Sequence, residues 1–170
     1  PHPTPRAAYA AMVTRLDREI GRLLALVDEF GLRENTLVIF TSDNGGDKFA
    51  RNEPFSGKKT TYAEGGIRVP AIACWPGRLP AGVMCDQVAI TMDWTATFLG
   101  LAGAEAAPNR PLDGMDLWPV MSGKTAPVAR TLFWRNRTTR GALLDRVVRD
   151  GDWKLIRSAA GEAKLYHLVT

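Results

Sequence analysis

With 170 residues, 45% hydrophobic and 24% charged, the chain has the composition of an ordinary globular protein and enough length to bury one core, which excludes a disordered tail. Its formal charge is +4, and its 22 lysines and arginines are scattered with no basic, aromatic-interleaved stripe, so nucleic acid is not an expected partner. Two cysteines cannot build a disulfide framework or a four-cysteine zinc site, and no apolar run reaches the roughly 20 residues of a membrane span.

Cys74 and Cys85 read as two separate buried thiols, with pairing in an exported protein as the alternative. The start, Pro1-His2-Pro3-Thr4-Pro5, has neither Met nor a signal peptide and reads as a cut inside a longer protein. Periodicity predicts an amphipathic helix from Arg6 to Phe30, with Met12, Leu16, Ile20, Leu23, Leu24 and Val27 as its apolar positions and Gly31 as a left-handed cap. Thr36 to Phe40 is short, β-branched and continuously apolar, the pattern of a parallel strand covered on both faces.

Thr41-Ser42-Asp43-Asn44-Gly45-Gly46 then opens a polar loop running to Lys59, and Val69 to Trp75 is a second strand stopped by Pro76-Gly77. Met92 to Ala102 is a helix with Asp93 in its first turn and Gly103 at its end. Asp113-Gly114 marks a turn, and Leu117-Trp118-Pro119 a short helix. Beyond about Thr125 the pieces Thr131–Trp134, Ala142–Val148, Trp153–Ile156 and Lys164–Tyr166, with Asp150-Gly151-Asp152 as a turn, form a small antiparallel sheet. The fold class is therefore α/β: the later part of a mixed, mostly parallel sheet flanked by helices, with a small C-terminal antiparallel sheet. The expected division is 1–125 for the core portion and 126–170 for an incomplete β subdomain.

Ligands in open α/β sheets bind beyond the carboxyl ends of strands, which is where Asp43 and Asn44 stand. A carboxylate beside an amide oxygen suits calcium or magnesium better than zinc, although Asp-Asn-Gly-Gly is also a plain turn sequence. Lys59 has the charge to hold a tetrahedral oxyanion; read alone, it is also a solvated loop lysine. Glu64 and Arg68 read as a loop-shaping ion pair, and the glycines near them as points of close backbone approach.

Taken in order, these pieces resemble the second half of a formylglycine-dependent sulfatase, in the alkaline-phosphatase-like superfamily. The resemblance is carried by Asn35 to Gly45, by Lys59 with Glu64-Gly65-Gly66-Ile67-Arg68-Val69-Pro70, and by Trp75-Pro76-Gly77. It continues through Met92-Asp93-Trp94 and Leu112-Asp113-Gly114 to Asp150-Gly151-Asp152-Trp153-Lys154-Leu155 and Leu165-Tyr166. It implies that Asp43 and Asn44 are two ligands of a calcium ion and that Lys59 contacts sulfate. Counting back from Glu64-Gly65-Gly66 selects Lys59, whereas counting forward from Gly57 selects Lys58.

The family signature Cys or Ser, x, Pro, x, Arg, whose first residue becomes formylglycine, is read as lacking, because Cys74 lies in Ala-Cys-Trp-Pro-Gly and Cys85 in Met-Cys-Asp-Gln. The nucleophile and the paired aspartates of the other metal half are accordingly expected upstream. A catalytic histidine is expected before the first helix, where His2 is the only candidate; His167 reads as a surface residue. The implied activity is sulfate ester hydrolysis by the intact enzyme, on a small molecule or a sulfated glycan, in a periplasmic or secreted setting, with this stretch inactive alone. The competing readings are a phosphodiester or phosphonate monoester hydrolase, and a non-catalytic module that binds calcium or a sulfated glycan.

Overall fold

A computed structural model describes residues 4–137 and 139–169, Leu143 by its backbone alone, and His2 lies outside the described residues. The chain divides into two compact units, Pro1–Val83 and Met84–Thr170, each taken by itself below.

The first unit opens with α1 (Pro5–Glu29). The Thr4 hydroxyl accepts from the amide of Ala7 at 3.1 Å, and Pro5 occupies the first turn, where its missing N–H costs nothing. The helix ends in a Schellman motif: Leu32 N–H donates to the carbonyl of Val27 and Gly31 N–H to that of Asp28, with Gly31 at φ +66°. Arg33, in the turn that follows, bonds both oxygens of Asp28 at 2.9 Å, and that carboxylate raises the pKa of the guanidinium.

Ile20, Leu24 and Val27 fall on one face of α1 and line an apolar groove with Val38 and Phe40 of β1 (Val38–Thr41) and Ile72 and Cys74 of β2 (Ala71–Cys74). The rest of the apolar stripe, including Met12, Leu16 and Leu23, is exposed. The pairing of β1 corrects one expectation. It lies antiparallel to β2, Val38 opposite Cys74 and Thr41 opposite Ala71, and its residues are half-buried or exposed. A parallel strand covered on both faces was expected; here the groove side faces α1 and the partner runs the other way. The mixed α/β class is unaffected. Trp75 donates its indole N–H to the carbonyl of Glu34 at 2.8 Å, fixing the end of β2 beside the turn that leads into β1.

In the second unit, α3 (Asp93–Leu101) and the single-turn α4 (Trp118–Met121) precede a four-stranded antiparallel meander, β3 (Thr131–Arg137), β4 (Leu143–Asp150), β5 (Trp153–Arg157) and β6 (Ala163–His167). The remaining helix, α2 (Glu64–Ile67), belongs to the first unit. The core of the second unit gathers Leu117, Val120, Leu132 and Val147 around three buried polar side chains, Asp93, Thr97 and Lys154. Asp93 accepts from the amides of Ile90 and Met115 and from Arg130, while Thr97 accepts from the amide of Leu117 and donates to the carbonyl of Asp93. Asp93 is therefore more than a charge favoured by a helix dipole.

Two smaller readings also change. Both thiols are free, as expected, but exposed instead of buried. His167 is half-buried, its ring 4.7 Å from that of Trp153 across the β5–β6 pair.

Candidate active-site loop

The loop between β1 and β2 is organised by backbone contacts that only glycine permits. Gly45 donates to the carbonyl of Gly66 at 2.8 Å, and a Cβ on Gly45 would lie 1.9 Å from the carbonyl oxygen of Gly65. A Cβ on Gly66 would lie 2.1 Å from the carbonyl oxygen of Thr61. These glycines bring the segment after β1 directly against the one-turn helix α2, as the sequence reading of close approach required. Across α2 and its C-cap, Arg68 Nη1 lies 3.8 Å from Glu64 Oε2 and the guanidinium sits 4.6 Å from the Phe55 ring centroid, so the expected ion pair forms and is backed by an aromatic face.

Lys59 is held to the same place by its backbone. Its N–H donates to the carbonyl of Gly46 at 3.0 Å, two residues beyond Asn44. It sits at a corner of the turn Lys58–Thr61, closed by Thr61 N–H to the Lys58 carbonyl at 3.0 Å and braced by the Thr61 hydroxyl, which accepts from the amide of Lys58. The next corner is Thr60, at φ +75°, a left-handed conformation that glycine ordinarily supplies and that stores on the order of 1–3 kcal/mol. The side chain of Lys59 is exposed. Lys58, the alternative register, places its ammonium 3.4 Å from Asp47 in an exposed ion pair.

Asn52 is the residue that sequence reasoning missed. Its side-chain oxygen accepts from the amide of Gly46 at 3.0 Å, and its NH2 group donates to the carbonyls of Gly46 and Gly57. One half-buried side chain thus ties the strand-end segment to the segment that carries the lysines. Nothing in the local pattern around Asn52 marks it, because asparagine in a polar loop is unremarkable until its partners are known.

Asp43 is exposed and Asn44 half-buried. The Asn44 NH2 group donates to the carbonyl of Gly45 at 2.9 Å, and the Ser42 hydroxyl donates to the Asn44 carbonyl. With its amide nitrogen so engaged, Asn44 has its amide oxygen, and its neighbour Asp43 a carboxylate, as donor types that suit a hard cation. The donor set therefore fits calcium or magnesium in kind. No group of three or more His, Cys, Asp or Glu able to hold a metal occurs among the described residues.

The chain matches the Sulfatase family model over residues 3–104. It belongs to the sulfatase family. This sulfatase chain is 40% identical over 146 residues to N-acetylgalactosamine-6-sulfatase of the dog, Canis lupus familiaris, a match covering 82% of the chain and 28% of that relative. Among solved structures it resembles Ps i-CgsB in complex with k-i-k-neocarrahexaose, with a TM-score of 0.83 and 33% identity, over 96% of this chain and 36% of that one. It also resembles the phosphonate monoester hydrolase of Agrobacterium radiobacter, with a TM-score of 0.71 and 25% identity, over 96% of this chain and 34% of that one. The chain thus spans roughly a third or less of the length of each of these proteins.

Within the sulfatase chain one sequence reading needs correction on its letter. Cys74-Trp75-Pro76-Gly77-Arg78 does spell Cys-x-Pro-x-Arg. The fold keeps it away from the loop just described: Cys74 pairs with Val38 at the start of β1, whereas Asp43 follows the far end of that strand, at least about 10 Å away at 3.3 Å per residue. Cys74 faces the apolar groove, and Arg78 stacks 4.7 Å over the Trp75 ring. These five residues serve as the end of a strand and its turn.

Proposed function

We propose that the whole protein hydrolyses sulfate esters carried on a saccharide, and that the loop after β1 supplies part of its metal and sulfate site. The reading is supported by one observation: in a member of the sulfatase family, the hydrogen bonds of Gly45 to Gly66 and of Lys59 to Gly46 join the segments that carry Asp43, Asn44 and Lys59, beyond a strand's carboxyl end. The saccharide is supported by the names of two similar proteins, one an N-acetylgalactosamine-6-sulfatase and the other solved with a neocarrahexaose.

In this account Asp43 and Asn44 hold a divalent ion, calcium by donor type, with further ligands and the nucleophile coming from outside this chain. An ion held there would supply Lewis-acid stabilisation of negative charge on the sulfate oxygens. Lys59, next to the left-handed corner at Thr60, offsets charge on the transferred group. In the net reaction water gives its oxygen to sulfur, the sulfur–oxygen bond to the sugar breaks, and the sugar hydroxyl takes the proton. Residues 1–125 are proposed as the later portion of the catalytic core, and 126–170 as an incomplete β subdomain.

The likeness to a phosphonate monoester hydrolase favours a second reading, in which the ester is phosphorus-centred. Assay of the complete protein with matched aryl sulfate and aryl phosphonate monoesters separates the two. The sulfatase reading expects kcat/KM for the sulfate to exceed that for the phosphonate by at least 100-fold; the reverse order overturns it.

A further inference from the structure

The carbonyl oxygen of Gly46 accepts two hydrogen bonds, from the N–H of Lys59 at 3.0 Å and from Asn52 Nδ2 at 2.9 Å. Asn52 Oδ1 accepts in turn from the N–H of Gly46 at 3.0 Å, and Nδ2 also donates to the carbonyl of Gly57 at 3.2 Å. The side chain therefore holds both polar groups of one residue and reaches a second segment two residues before Lys59. Exchanging its oxygen and nitrogen would set an acceptor against two carbonyls and a donor against an N–H, so the three bonds fix one orientation of the amide. A Cβ on Gly46 would lie 2.1 Å from Ala50 Cβ and 3.0 Å from Asn52 Oδ1, so this clasp closes on glycine.

The segment that carries Lys59 is thus fastened at two points, by the lysine's own N–H to Gly46 and by the Gly57 carbonyl to Asn52. A lysine is a point charge on a flexible four-carbon stem, so the place of its backbone decides which positions the ammonium reaches. Reacting groups tolerate little displacement: a shift of about 1 Å caused by a mutation away from the chemistry costs about 100-fold in rate. Loss of the Asn52 amide removes one of the two fastenings and leaves the lysine itself in the chain.

We propose that Asn52 is a positioning residue for sulfate ester hydrolysis: through Gly46 and Gly57 it sets the place from which Lys59 reaches the transferred group. This rests on the role proposed for Lys59 and adds that Asn52 acts through that lysine.

The test is a double-mutant cycle in the complete protein, with kcat and KM measured on an aryl sulfate at saturating calcium and rates scaled to the folded fraction read from the urea transition. Asn52→Ala is expected to lower kcat about tenfold with KM changed less than about threefold. In a Lys59→Ala background the same substitution is expected to change kcat less than about twofold, because the group it positions is already gone. Asn52→Asp is the second variant: nearly the same size, it keeps an acceptor for the Gly46 N–H but turns a carboxylate toward the carbonyls of Gly46 and Gly57. It is expected to show the same dependence on Lys59. A purely structural asparagine would lower turnover by the same factor in both backgrounds; that result, or unchanged kcat in both Asn52 variants, would overturn the inference and leave the sulfatase reading standing. Lys59→Ala with undiminished kcat would instead remove the role of the lysine, and this inference with it.

Discussion

Arg130 reaches the fully buried carboxylate of Asp93, Nη1 to Oδ2 at 2.6 Å, across 37 positions of sequence. The same carboxylate accepts from the amides of Ile90 and Met115, so one side chain joins the start of α3, the approach to α4 and the approach to β3. Removing it leaves a part-buried guanidinium and two part-buried amides without this acceptor. Asp93→Ala is expected to cost about 3–5 kcal/mol, as for other buried pairs that lose one member, read as the shift in urea midpoint at unchanged slope. A loss below about 1 kcal/mol would mean that the carboxylate does not organise this unit.

The loop after β1 makes a steric prediction. Gly45→Ala drives a Cβ into the carbonyl of Gly65, backbone against backbone, with no flexible side chain to yield. Destabilisation of about 1–3 kcal/mol is expected, together with faster amide exchange from Gly45 to Gly66. A variant as stable and as protected as the parent would show that the two segments do not touch.

Asn52→Ala removes the hydrogen bonds to Gly46 and Gly57 and strands a part-buried amide, at a cost of about 1–3 kcal/mol. Its effect should be local. In hydrogen exchange, protection is expected to fall between Gly45 and Lys59 while α3 and the four-stranded sheet keep theirs.

Cys74 gives a prediction that separates sequence pattern from position. Although Cys74-Trp75-Pro76-Gly77-Arg78 spells the nucleophile pattern, the thiol faces the apolar groove at the wrong end of β1. Cys74→Ala in the complete protein is expected to leave kcat within about threefold of the parent, far from the 10⁴-fold or greater loss that follows removal of a nucleophile.

Much of the fold was legible because its signals are local. The 3.6-residue period and Gly31 mark α1 and its Schellman end, and alternation with Asp150-Gly151-Asp152 marks the meander. What was not legible depends on contacts distant in sequence: Asp93 with Arg130, Asn52 with Gly57 across a patternless loop, and the direction of β1's partner. Asp43, Asn44 and Lys59 were singled out by motif spacing, and backbone bonds join the segments that carry them.

The most direct measurement compares Lys59→Ala with Lys58→Ala in the complete protein, as kcat/KM for a sulfate ester at saturating calcium. Lys59→Ala is expected to lose about 10²–10³, the scale for removing one charge-stabilising donor, and Lys58→Ala, whose ammonium is engaged by Asp47 at 3.4 Å, less than about threefold. Unchanged activity in Lys59→Ala, or the larger loss in Lys58→Ala, would contradict the placement of Lys59 beside Asp43 and Asn44 at the sulfate.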